Sequence, residues 1–226
     1  MFAAVLLLAA TLKVSAQSEE SRQVSGFHGI ASAGPFDVHV KIDGTESLKI
    51  SASSDIMGEI ETKVEDGKLE IKLKHHDWGR NHIGRIDIYV TAKSLSSLAN
   101  AGSGSIKVDG VISGENVTIN LSGSGSIFSA VKSGNFHASI SGSGSMHLSG
   151  SASETKLSIA GSGEMNAKEF KTGSASVVIA GSGSTYFAAE KEISASIVGS
   201  GNVVYTGSAT ISSNKTIGSG RVSKAD

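Results

Sequence analysis

Polar and apolar residues alternate along most of this 226-residue chain, and the tripeptide Gly-Ser-Gly interrupts the alternation at regular intervals. Alternation with a period of two predicts strands, because successive side chains of a strand point to opposite faces. A repeat of about 20 residues predicts a solenoid, in which each unit buries its apolar face against the next unit. The tripeptide begins at Gly102, Gly123, Gly142, Gly161, Gly181, Gly199 and Gly218.

The second, third and fourth residues after each tripeptide show how a coil is arranged. The second position is mostly apolar, the fourth is apolar in five of seven copies, and both are predicted to face inward. The third position is predicted to face solvent, and it carries Lys107, Phe128, His147, Asn166, Tyr186 and Val204. Because glycine reaches positive φ without steric cost, each Gly-Ser-Gly suits a tight corner between two strands. The sequence therefore predicts an all-β fold, a parallel β-helix with coils of about 20 residues.

The N-terminal half lacks the tripeptide. Residues 1–16 are largely apolar and end in Val14-Ser15-Ala16, which predicts a cleaved signal peptide rather than a membrane span of about 20 apolar residues. Residues 17–25 are polar and are predicted to form a disordered leader. Residues 26–98 contain longer, more charged strands, which are either early coils or a capping sheet. We expect one β-helix domain over residues 26–226, with the Gly-Ser-Gly repeats at 99–223.

Composition narrows the classes of function. The chain has 20 basic and 21 acidic side chains, so it offers no electrostatic argument for binding nucleic acid or anionic lipid. It contains no cysteine, which excludes disulfides, thiolate catalysis and zinc–thiolate sites. No sequence feature indicates a cofactor, because the Gly-x-Gly repeats lack the third glycine and the following helix of nucleotide-binding loops.

Several motifs are shared with a known family: Phe27-His28-Gly29-Ile30, then Gly34-Pro35-Phe36-Asp37-Val38-His39-Val40, the strand pair around Leu69 and Ile88, and the Gly-Ser-Gly-Ser-Ile repeats. Over roughly residues 24–223 the chain resembles the auto-transporter adhesin head GIN domain family of exported bacterial proteins. The resemblance implies a right-handed β-helix at the cell envelope and an adhesive role. It supplies no catalytic residues.

One polar loop is a candidate metal site. His75, His76, Asp77 and His82 lie within eight residues between two predicted strands, and imidazole and carboxylate groups could bind Zn²⁺ or Cu²⁺. The alternative is a solvated hairpin tip, which we favour because adjacent histidines on a flexible backbone rarely converge without supporting hydrogen bonds.

The third-position residues Phe128, His147, Asn166 and Tyr186 are the candidate binding site. Exposed aromatic side chains on a rigid ladder could stack on sugar rings or contact a partner protein, although a neighbouring loop could also cover them. The acidic residues of the repeats do not share a column in adjacent coils, so a polysaccharide-active enzyme is less favoured. We therefore expect an exported, non-catalytic binding protein, located in the periplasm, at the outer-membrane surface or outside the cell, with a surface glycan or an envelope protein as its partner. A periplasmic scaffold that adds a partner strand near Arg221 is the alternative.

Overall fold

The structure is a computed structural model that describes residues 17–74 and 84–225. The predicted signal peptide and the candidate metal loop of His75, His76, Asp77 and His82 lie outside the described residues. The strands join in one 16-stranded sheet. In chain order the elements are β1 (Gln17–Arg22), β2 (Gly29–Ala33), β3 (Phe36–Ile42), β4 (Ser47–Ser53), α1 (Ser54–Met57), β5 (Ile60–Glu65), β6 (Lys68–Leu73), β7 (Ile86–Ala92), β8 (Ser97–Gly102), β9 (Ser105–Gly123), β10 (Ser126–Gly142), β11 (Ser145–Gly161), β12 (Glu164–Gly181), β13 (Ser184–Gly199), β14 (Asn202–Thr206), β15 (Thr210–Gly218) and β16 (Arg221–Lys224).

The repeats form a parallel β-solenoid of about seven turns, as the sequence predicted. Each strand from β9 to β13 runs from one Gly-Ser-Gly to the next and pairs in parallel with the strand of the adjacent coil. The register places glycine on glycine, so that Gly142 lies between Gly123 and Gly161. Each coil is thus a single ribbon that bends around the core, because glycines such as Gly150, with a φ of +106°, turn the strand without ending it.

The corner glycines are required by close backbone approach. At Gly123 φ is +112°, a conformation that other residues rarely adopt. A Cβ atom built there would lie 2.6 Å from the carbonyl oxygen of Gly102 in the adjacent coil. The same contact recurs from coil to coil, so the column of glycines lets successive corners stack directly on one another.

The core is the set of inward columns predicted from the alternation. The second-position side chains of the first six copies are fully buried, and they are Ile106, Ile127, Met146, Met165, Thr185 and Val203. In the last copy, Val222 is partly buried. The fourth position also points inward, where Leu148, Ala167 and Phe187 are at most 4% exposed. Burial of these apolar columns, at about 25 cal/mol per Å² of apolar surface, is the main term that favours stacking of the coils. The third-position side chains between them face outward.

The N-terminal segments form both coils and a cap. The pair β2–β3 is the first coil in the sequence, but it lies second in space: β2 is between β6 and β8, and β3 is between β7 and β9. Beyond the β6–β7 coil, β5 pairs antiparallel with β6, β4 pairs antiparallel with β7, and β1 covers the edge of β4. At this end of the solenoid, the β6–β7 coil therefore pairs with antiparallel strands instead of exposing unpaired backbone groups.

The predicted disordered leader is wrong for residues 17–22, which form β1. Its register with β4 runs from Gln17 opposite Ser53 to Arg22 opposite Leu48. The Arg22 guanidinium also donates to the carbonyl oxygen of Ile60 at 2.6 Å. A polar sequence such as QSEESR suits an edge strand, because neither of its faces has to be buried.

Candidate functional site

The predicted binding residues belong to a longer column, which we call the outer column. Strand pairing places one outward residue of each neighbouring strand side by side, and each such residue is a rung. In spatial order the rungs are Ser21, Lys49, Tyr89, His39, Lys107, Phe128, His147, Asn166, Tyr186, Val204 and Ser223.

The aromatic rings of the outer column stack along the solenoid axis. Phe128 and His147 have ring centroids 4.6 Å apart and planes within 2° of parallel. His39 and Tyr89 are 5.0 Å apart with an angle of 18° between their planes. These separations are close to the spacing of about 4.8 Å between neighbouring strands, so the register itself places ring on ring. Phe128 and Tyr89 remain 39% and 42% exposed.

This stacking changes the expected mode of binding. Lys49 Nζ lies 5.2 Å from the centroid of Tyr89, whose opposite side faces His39. Lys168 Nζ lies 5.1 Å from the centroid of Tyr186. Tyr89 is therefore covered on both faces, whereas Phe128 is covered on one face by His147 and Tyr186 on one face by Lys168. A sugar ring could stack flat only on a ring face that no neighbouring side chain covers.

A groove follows the outer column, and we call it the outer groove. It consists of three clefts of about 760, 610 and 260 Å³. The first two share Lys107 and the last two share Lys168, so the clefts succeed one another along the solenoid. Of the predicted residues, Phe128, His147 and Asn166 line the middle cleft and Tyr186 lines the last.

A buried carboxylate fixes one of the rings. Asp87 is 6% exposed, and its Oδ1 accepts hydrogen bonds from Arg85 Nε at 3.1 Å and Arg85 Nη2 at 2.8 Å. His39 Nε2 lies 3.1 Å from the same oxygen, which holds the imidazole against Tyr89. Asp37 lies opposite Asp87 in the register and accepts a 2.6 Å hydrogen bond from Ser105. This pair of carboxylates in adjacent strands was missed in the sequence.

Glu46 lines the first cleft of the outer groove and is held there by hydrogen bonds. A hydrogen bond from Lys93, at 2.7 Å, lowers the pKa of the Glu46 carboxyl, and the backbone N–H groups of Gly26 and Phe27 lower it further. The ionised carboxylate therefore ties the segment after β1 to the turn before β4.

Sequence reasoning missed the N-terminal half of the outer column. Alternation places Lys49, Tyr89 and His39 on outward faces, but their strands are far apart in sequence and out of spatial order. Lys168 was missed because it stands two positions beyond Asn166, outside the third-position column.

No group of three His, Asp or Glu side chains in residues 17–74 and 84–225 is placed to hold a metal ion. No helix in that same part of the chain is long and apolar enough to cross a bilayer.

The molecule is thus a parallel β-solenoid with stacked Gly-Ser-Gly corners and an aromatic-lined groove along its outer column. The chain belongs to the family described as putative auto-transporter adhesin, head GIN domain, whose sequence profile matches residues 26–209. None of the curated proteins matches the sequence.

Solved structures share the fold. A putative adhesin from Bacteroides fragilis NCTC 9343 is 22% identical, with a TM-score of 0.83 over 93% of this chain and 97% of that chain. A putative lipid binding protein from Parabacteroides distasonis ATCC 8503 is 25% identical, with a TM-score of 0.74 over 93% and 97%. A putative adhesin from Parabacteroides merdae ATCC 43184 is 20% identical, with a TM-score of 0.71 over 93% and 96%.

Proposed function

We propose that this chain is an exported, non-catalytic binding protein of the cell envelope that holds an extended ligand in the outer groove. The observation that supports this most is the continuity of the outer column, which spans eleven strands of one rigid sheet. A row of contacts with a fixed spacing can add many weak interactions with a repetitive ligand. The family description and the adhesin names of two structural relatives agree with this role.

Catalysis is less well supported. Asp37 and Asp87 form a carboxylate pair, as acid/base hydrolysis of a glycan would need. However, Arg85 and His39 both contact Oδ1 of Asp87, and the carboxylate is nearly buried. Removal of Asp87 should therefore disturb the His39 ring rather than abolish a reaction.

Lipid binding is suggested by the name of one structural relative. The three clefts of the outer groove are open rather than enclosed, so an acyl chain lying in them would keep part of its surface in water.

The location is tested by protease shaving of intact producing cells, followed by fractionation and immunoblotting. Loss of the band from intact cells is expected for a surface adhesin. Survival of the band until the outer membrane is opened would contradict adhesion and favour the periplasmic scaffold.

The groove is tested with the double variant Phe128→Ala with Tyr186→Ala. Removal of two groove-lining rings should weaken binding of the purified protein to cells or glycans by about tenfold, as for anchor residues of an interface. The matched control is Val178→Ala with Val198→Ala, since these side chains are about half exposed but lie outside the groove. Equal binding by both variants would show that the outer column is structural.

A further inference from the structure

The exposed parts of the aromatic residues carry a definite electrostatic sign. In the outer column, neighbouring side chains cover both faces of Tyr89 and one face each of Phe128 and Tyr186. Stacking along the solenoid axis turns the ring edges outward. The edge of an aromatic ring is the positive part of its quadrupole, whereas the face is negative. A ring presented edge-on therefore favours an electron-rich oxygen as its neighbour.

Lysine ammonium groups occur at several points along the outer groove. Lys49 is the second rung and Lys107 is the fifth, so with about 4.8 Å between strands they are roughly 14 Å apart. Between them lie Tyr89 and His39. Lys168 is not a rung, but its Nζ lies 5.1 Å from the ring centroid of Tyr186, the ninth rung. The solenoid thus places cationic groups along the groove with aromatic rings between them.

The groove is more basic than the chain as a whole. Five basic side chains and three acidic ones line its clefts, whereas the whole sequence has a net charge of −1. They are Arg22, Lys41, Lys49, Lys107 and Lys168 against Glu46, Asp109 and Glu169. Arg22, Lys41 and Lys49 are paired with acidic side chains, as Glu46 is with Lys93. Neither Lys107 nor Lys168 has an ion-pair partner among the described residues. These two ammonium groups are available to a ligand.

We propose that the outer groove binds an acidic polysaccharide, whose carboxylate or sulfate groups meet the lysines while its hydroxyl oxygens meet the ring edges. This inference rests on the proposed binding function and adds the charge of the ligand to it. An extended glycan suits the geometry, because the spacing between coils is similar to the length of one pyranose unit in an extended chain.

The ring geometry also disfavours other polymers. A single-stranded nucleic acid binds by stacking its bases on aromatic faces, and here Tyr89 has both faces covered while Phe128 and Tyr186 have one face covered each. A neutral glycan would use the same faces and would leave Lys107 and Lys168 unpaired. Anionic lipid would satisfy the lysines, but its acyl chains would stay in water.

The test uses isothermal titration with oligomers of polygalacturonate, alginate and hyaluronate, together with fully methyl-esterified forms of the same oligomers. At least one acidic oligomer should bind about tenfold more tightly than its esterified form, since two partly exposed ion pairs contribute about that factor. The variant Lys107→Gln with Lys168→Gln should remove this preference. The control Lys156→Gln with Lys215→Gln removes the same charge from another face and should bind like the wild type.

Several results would overturn the proposal. The first is an equal affinity of every acidic oligomer and its ester, the second is an unchanged preference in the Lys107 and Lys168 variant, and the third is a stronger response to phosphatidylserine vesicles than to any oligomer. If neutral oligomers bind and the Phe128 and Tyr186 variant does not bind them, the binding function stands and only the acidic ligand is refuted. If no glycan of either kind binds, the acidic ligand is refuted, and the proposed binding function fails as well only if the purified protein also does not bind cells.

Discussion

Substitution of one corner glycine tests the stacking argument directly. In Gly123→Ala, the new methyl group would lie 2.6 Å from the carbonyl oxygen of Gly102, and the residue would have to keep a φ of +112°. Positive φ costs about 1–2 kcal/mol for a residue with a Cβ atom. Crowding against a backbone that cannot move freely adds about 1–3 kcal/mol. The free energy of unfolding should therefore fall by about 2–5 kcal/mol.

Two other glycines separate these contributions. Gly44 has a φ of +87° with open space around its Cβ position, so Gly44→Ala should cost only the conformational part, about 1–2 kcal/mol. Gly58 has a φ of −69° and also faces open space, so Gly58→Ala should be neutral or stabilise by up to about 1 kcal/mol. The three variants differ in steric contact and in φ but make the same chemical change.

The assay is urea unfolding followed by circular dichroism. With an m value near 2–3 kcal/mol per molar urea, Gly123→Ala should lower the unfolding midpoint by about 1–2 M. A midpoint for Gly123→Ala equal to that of Gly44→Ala would refute the argument, because close contact between coils would then contribute nothing beyond backbone conformation.

Two further predictions concern single polar side chains. Thr185 is fully buried in a core column, and its hydroxyl has no hydrogen-bond partner among the described residues, so Thr185→Val should stabilise the protein by about 1 kcal/mol. A lower unfolding midpoint for this variant would mean that the hydroxyl is satisfied after all. Glu46→Gln should destabilise the protein at neutral pH, because its lowered carboxyl pKa shows that the folded state favours the charged form. The extra stability of the wild type relative to Glu46→Gln is fully present above the ordinary glutamate pKa of about 4.3 and is lost as pH falls through the lowered pKa. The difference between the two unfolding midpoints should therefore be larger at pH 7 than at pH 3. An equal difference at both pH values would contradict the linkage to Lys93.

The repeats could be interpreted from sequence because their structure is local and periodic. Each inward position, such as Ile127 or Met165, is marked by its distance from the nearest Gly-Ser-Gly, and every coil repeats the same spacing. The outward direction of Phe128, His147, Asn166 and Tyr186 follows from the same period of two. A polar strand with no burial requirement leaves no such mark, and for this reason β1 was mistaken for a disordered leader.

The fold class, the corners and the in-or-out direction of most side chains follow from the sequence, since these depend on alternation and on glycine geometry between near neighbours. Which strands are adjacent in space depends on how the coils stack, and the sequence pattern does not show it. The insertion of β2–β3 between β6–β7 and β8–β9 brings His39 between Tyr89 and Lys107, although 50 residues separate His39 and Tyr89 in the chain. The tertiary structure also decided that the rings stack on each other and present their edges, because ring orientation depends on the register between coils and on contacts such as that of His39 with Asp87.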